Sequence, residues 1–141
     1  MRSIPKYVLL GLALLPASAL AAETNEAPTT TIVGEVIDIG CYAAREARGD
    51  EHRACATRCL TQGNPAGVLL DDGQVFTIAA AAPAYKSLAA ERVRVTGTVR
   101  GSLLRPTALA VWKDEAWSEI PVSKFGAPQI EEAAPGEQRT R

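Results

Sequence analysis

All three cysteines of this chain and its only histidine lie between residues 41 and 59, as Cys41, His52, Cys55 and Cys59. The pattern C-x10-H-x2-C-x3-C obliges the chain to turn back on itself if the four side chains are to meet. The intervening residues suit that. Cys41 to Arg48 is a run of helix formers stopped at Gly49, Asp50 can cap a second helix from Glu51 to Leu60, and Gly63 ends it. The spacing therefore predicts a helical insert over residues 41–63. On a helix advancing ~100° per residue, positions 52, 55 and 59 fall within ~60° of one another and share a face. The difficulty is axial: seven residues of ideal helix separate His52 from Cys59 by ~10 Å. Cys41, Cys55 and Cys59 thus form the more comfortable trio, and His52 joins as a fourth only if the first turn is irregular.

On either side of the insert the chain has strand character. Ile32 to Asp38 is rich in β-branched residues, with Gly34 allowing a strong bend. Pro65–Leu70 and Gln74–Ile78 flank Asp71-Asp72-Gly73, whose glycine suits the positive-φ position of a hairpin loop. A short helix fits between Ala79 and Ala90, with Pro83 near its start. Arg92 to Arg100 alternates at period two, valines on one face and Arg and Thr on the other, and Leu109 to Trp112 gives a last strand. The expected fold is mainly β: a five-stranded, OB-like Greek-key barrel. Its Cys/His-bearing helical insert falls between strands one and two, and its short helix between strands three and four. The V-x-V-T-G-x-V run at Val93 to Val99 resembles the fourth strand of many small OB domains.

The N-terminus reads as a secretory signal. Arg2 and Lys6 precede the apolar run Tyr7 to Leu15, Pro16 breaks it, and small residues ending at Ala21-Ala22 offer a cleavage site after Ala21. The apolar run is well short of the ~20 residues that span a bilayer, so no membrane attachment is expected after cleavage. The signal would occupy residues 1–21, a flexible leader 22–30, the domain 31–121 and a disordered tail 122–141. The compartment would be the periplasm or the exterior. With 47% hydrophobic and 22% charged residues the chain fits one globular domain and neither a disordered nor a polytopic membrane protein. Its 15 Lys and Arg against 16 Asp and Glu become 13 against 16 once Arg2 and Lys6 are removed. Such a balance lacks the footprint of a nucleic-acid binder.

Three thiolates and an imidazole suit Zn²⁺ or Cu(I). A helix start beside His52 would favour its neutral form, and one beside Cys41 would favour a thiolate. The ion would fasten the insert, or be buffered and passed to a periplasmic partner protein. The same spacing permits a Cys41–Cys59 or Cys41–Cys55 disulfide worth ~3 kcal/mol, which would leave one cysteine over. That is the pattern of a metal-free, stapled OB-like module binding a protein or a saccharide. Thiol redox chemistry ranks third, because Cys-x3-Cys lacks the Cys-x2-Cys spacing and the βαβ context of thioredoxin-like sites.

The motifs D-x-x-C-Y (Asp38, Cys41, Tyr42), H-x-x-C-A-x-x-C (His52, Cys55, Ala56, Cys59) and G-x-P-A-G (Gly63, Pro65, Ala66, Gly67) resemble those of a group of small exported bacterial proteins of mostly unassigned role. The resemblance spans roughly residues 32–100 and implies a Cys/His site without a defined reaction. Small periplasmic copper-handling proteins on OB-like barrels are a more distant analogy. They use Met, His and Trp on the barrel face, whereas this chain has no Met beyond Met1 and its one His lies in the insert.

Other features read plainly. Asp38 either accepts from the His52 ring or, by default, makes a local turn at the strand end. Asp71-Asp72-Gly73 lacks the alternating ligands of a calcium loop. Trp112 and Trp117 fit packing better than base or sugar stacking. No serine lies in an elbow motif, no phosphate loop is present and the sole His belongs with the cysteines, so no enzymatic activity is expected.

Overall fold

The computed structural model describes residues 28–130. The proposed signal, most of the leader and residues 131–141 lie outside that range. Six strands form one sheet: β1 (Thr29–Asp38), β2 (Ala66–Leu69), β3 (Val75–Ile78), β4 (Arg92–Arg100), β5 (Leu103–Lys113) and β6 (Ala116–Ile120). Their order is β3-β2-β1-β4-β5-β6, with antiparallel neighbours throughout. A short parallel pairing also joins β3 to β5, through Thr77 with Leu103 and Ile78 with Leu104. The pairings therefore run in a circuit, β1 to β2 to β3 to β5 to β4 and back to β1, with β6 outside it.

Two glycines make that circuit sterically feasible. β1 spends Thr29–Glu35 on β4 and Glu35–Asp38 on β2, and Gly34 sits at the changeover. A Cβ there would run into the backbone carbonyl of Leu69. Gly97 sits at the register shift of β4 against β5, where a Cβ would meet the Arg105 carbonyl and Pro106. Pro106, with no N–H to donate, is accommodated at this irregularity. That explains why β5 begins at Leu103 rather than near Leu109: a proline that argues against a strand is tolerated at a bulge.

Alternation on β4 works as the sequence predicts, with Val93 and Val95 fully buried. They meet Val36, Val68, Leu104 and Leu109 from the neighbouring strands in the core. The helix expected over Ala79–Ala90 is instead a 3-10 segment, Ala82–Leu88. Its buried residues Ala82, Tyr85 and Leu88 recur every three residues, the period at which 3-10 side chains eclipse. The extra strand β6 follows a turn at Asp114 and Glu115, both non-glycine residues at positive φ.

Residues 28–30 and 122–130 depart from expectation. Thr29 and Thr30 already pair with Thr98 and Gly97 in β1, where a leader was expected. Residues 122–130 fold back as a strap, where composition pointed to a disordered tail. Val122 bridges Pro128, and Val122 and Ile130 pack on the core. Tyr85, fully buried, donates its hydroxyl to the Gly126 carbonyl at 2.5 Å. A few apolar side chains with a buried tyrosine anchor offset the ordering cost that a Pro- and Gly-rich composition implied.

Candidate metal centre

The insert comprises α1 (Ile39–Arg45), a 3-10 turn (Asp50–His52) and α2 (Arg53–Thr61). Its geometry starts from Asp38, the last residue of β1 and the N-cap of α1. The carboxylate accepts from the backbone N–H of Gly40 (3.1 Å) and of Cys41 (3.3 Å). This cap launches α1 directly off the strand and places Cys41 in its first turn, over the end of the sheet. The helix ends at Arg45, earlier than the expected Arg48, with Glu46 in the left-handed region returning its N–H to Tyr42 (2.7 Å).

α2 is oriented by its apolar stripe. Ala56 and Leu60, one turn apart, are its buried residues, and both enter the core. Fixing that stripe fixes the rotation of the helix, so the adjacent stripe, Cys55 and Cys59, is presented at the half-buried boundary. Arg53 clamps the start of α2 to the chain before β4, donating to the Ala89 carbonyl (2.7 Å) and Glu91 (2.6 Å) and also to Asp50 (2.6 Å). Glu35 accepts from the Gly49 N–H (2.5 Å), tying the linker between the helices to β1.

The result gathers the three sulfurs. Cys41, Cys55 and Cys59 are unbridged, and their Sγ atoms all lie within 4.8 Å of one another. His52 joins through a different set: a ring nitrogen, the Cys41 Sγ and an Asp38 carboxylate oxygen also lie mutually within 4.8 Å. Residues 50–52 do form a 3-10 turn before α2 begins, yet His52 meets only Cys41 of the three cysteines and does not join Cys55 and Cys59 as a fourth donor in one set. Cys41 belongs to both sets. Asp38 thus does more than the default strand-end turn: it caps α1 and lies among the potential ligands, a role that the D-x-x-C spacing carried.

The electrostatics correct one expectation. Cys41 sits near a helix start, yet its thiol is pushed up to about 12, first because it donates to the Asp38 carboxylate, then by burial and that carboxylate's charge. A fixed anion next to the sulfur outweighs the weak dipole of a helix of seven residues. Cys59 is raised as well, by burial and then by its own hydrogen bond to Asp38. For Asp38 itself burial raises the pKa, but hydrogen bonds from both thiols and the two backbone N–H groups outweigh it and hold the carboxyl below its usual range. The arrangement thus favours protons on the Cys41 and Cys59 sulfurs and the charge on Asp38. A cation held there would have to displace those protons. Arg45 makes an exposed contact with the Cys41 sulfur (3.9 Å).

No family model, curated protein or solved structure matches the chain. The chemistry of this centre is what bears on function. Three soft donors at mutual distances compatible with one ion, beside a nitrogen and an oxygen donor, form a group that can hold a metal. No helix among the described residues is long and apolar enough to cross a membrane.

Proposed function

We propose that this is an exported metal-binding protein that holds one Zn²⁺ or Cu(I) ion through Cys41, Cys55 and Cys59, with His52 as an adjoining nitrogen donor. The observation that carries the reading is the convergence of three unbridged sulfurs within 4.8 Å, drawn from two separate helices. An ion bound there fastens α1 to α2, and its half-buried position leaves it within reach of an acceptor protein. We read the scaffold as an OB-like barrel with an added strand. The circuit of five pairings and the two glycines where the chain coils support this. Export rests on the signal-like N-terminus, and a binding role without catalysis rests on the lack of any nucleophile–base arrangement in the sequence.

The test is elemental analysis of protein purified from the periplasm, with thiol titration under denaturing conditions before and after reduction. About one zinc or copper per chain with three unoxidised thiols supports the reading and names the ion. No metal, with one thiol before reduction and three after, identifies a disulfide-stapled module instead. A Cys41–Cys59 or Cys41–Cys55 bond would then form the staple.

A further inference from the structure

We infer that the centre contains a second, mixed-donor seat for a divalent cation, built from Asp38, Cys41 and His52 and sharing the Cys41 sulfur with the three-sulfur seat. The inference rests on the reading of Cys41 as a metal ligand, and extends it to a buried carboxylate with no counter-charge and a buried ring nitrogen with no partner.

The first is Asp38. It is the one charged or polar residue in the buried set among the described residues, at 1% exposure. Its hydrogen-bond partners are neutral, the N–H groups of Gly40 and Cys41. No Lys or Arg forms an ion pair with it among the described residues. Hydrogen bonds satisfy the oxygens but leave the charge uncompensated, and buried charges in proteins are paired or coordinate a metal. The second is His52, whose Nε2 is the one buried side-chain N or O without a hydrogen-bond partner among the described residues. A buried nitrogen of that kind forfeits its solvation unless something binds it. The two residues belong to different elements, the end of β1 and the 3-10 turn, yet a carboxylate oxygen of Asp38 and a ring nitrogen of His52 lie within 4.8 Å of each other and of the Cys41 sulfur.

Donor chemistry selects the occupant. Oxygen, nitrogen and a single sulfur suit borderline divalent ions such as Zn²⁺ and Co²⁺, whereas the three-sulfur seat, which suits Zn²⁺ too, is the one that suits Cu(I). The centre thus offers different seats to different ions, with Cys41 as their common ligand. The Arg45 contact with Cys41 is exposed and does not alter that ranking.

The two seats are separable by substitution, using the metal-free, reduced full chain. Co²⁺ binding is followed by its thiolate charge-transfer absorption, whose intensity reports the number of sulfurs bound, and Cu(I) binding by competition with a chromophoric chelator. The double substitution Cys55→Ser and Cys59→Ser should retain Co²⁺ with a one-thiolate spectrum while losing Cu(I) affinity by ~100-fold or more. His52→Ala should do the reverse, losing Co²⁺ affinity by ~10–100-fold and leaving Cu(I) affinity within about twofold. Asp38→Asn keeps a capping side chain but removes the charge, and should behave as His52→Ala does; these two variants decide the matter if the serine variant does not fold. Loss of Co²⁺ binding in a folded serine variant, or equal weakening of both ions by His52→Ala, overturns the mixed seat while leaving the three-sulfur seat standing. Failure of the unmodified chain to bind either ion overturns the metal reading itself.

Discussion

The sheet and the insert are stabilised by different physics. In the sheet, Val36, Val68, Val93, Val95, Leu104 and Leu109 are fully or almost fully buried and hold one another by apolar contact. In the insert, α1 buries no residue and α2 only Ala56 and Leu60. Its position depends instead on polar fastenings: the Asp38 cap, the Arg53 clamp, the Glu35 contact with Gly49 and the Thr57 hydroxyl donating to the Lys86 carbonyl (3.2 Å). Burial stabilises a fold whatever the solution contains, whereas a polar-fastened element responds to what else binds there. The candidate metal centre lies in the part of the molecule that a bound cation would tighten.

Leu60 tests where the boundary between these regimes falls, because it belongs to the insert by sequence and to the core by burial. Leu60→Ala should lower global stability by ~3 kcal/mol, the usual loss for a buried leucine, measured by urea unfolding of the reduced protein. A loss below ~1 kcal/mol would mean that α2 rides on the sheet without being part of its cooperative unit.

Arg53 probes the opposite kind of bond. Its side chain is 37% exposed, so solvent screening reduces what its hydrogen bonds contribute. Arg53→Met should cost ~1–2 kcal/mol. Its signature is local: faster amide exchange across Arg53–Thr61, with β1, β4 and β5 unaffected. Equal acceleration in the strands would show that the insert and the sheet open together.

The same division governs what could be read from the sequence. Where one face is buried at a regular period the pattern is visible, as in the valines of β4 and the Ala56–Leu60 stripe behind the cysteines. The 3-10 turn at Asp50–His52 was legible only as a condition for His52 to join the cysteines, and it brings His52 to Cys41 but not into one set with Cys55 and Cys59. β6 was not legible. Ala116–Ile120 buries none of its residues fully, and its turn uses Asp114 and Glu115 at positive φ, where a Gly or Asn would have marked it. The ionisation of the site was misjudged for a related reason. The helix-start argument for a Cys41 thiolate considers α1 alone, while the Asp38 cap that creates the start also supplies the anion that opposes ionisation. The helix start and the opposing charge came from the same residue, Asp38, with opposite signs.

The strap, residues 122–130, combines both regimes in one anchor, because Tyr85 is buried like a core residue and holds the Gly126 carbonyl by a hydrogen bond. Burial pushes the Tyr85 pKa above its ordinary value of about 10. The unfolded chain therefore releases this proton near pH 10 while the folded chain keeps it. The sign follows: the contribution is full below pH ~10 and is lost as pH rises from there toward the folded pKa. Cys41 and Cys59, also raised, add a loss of the same sign beginning nearer their ordinary value of ~8.5, so the tyrosine must be isolated by substitution. Tyr85→Phe should cost only ~0.5–1 kcal/mol at pH 7, from the lost hydrogen bond. Unfolding free energies measured from pH 8 to 11 should then fall less steeply above pH ~10 in the variant than in the unmodified chain, with the thiol-dependent part below that pH unchanged. Parallel curves would mean that the hydroxyl is solvated and that the strap is held by Val122 and Ile130 alone.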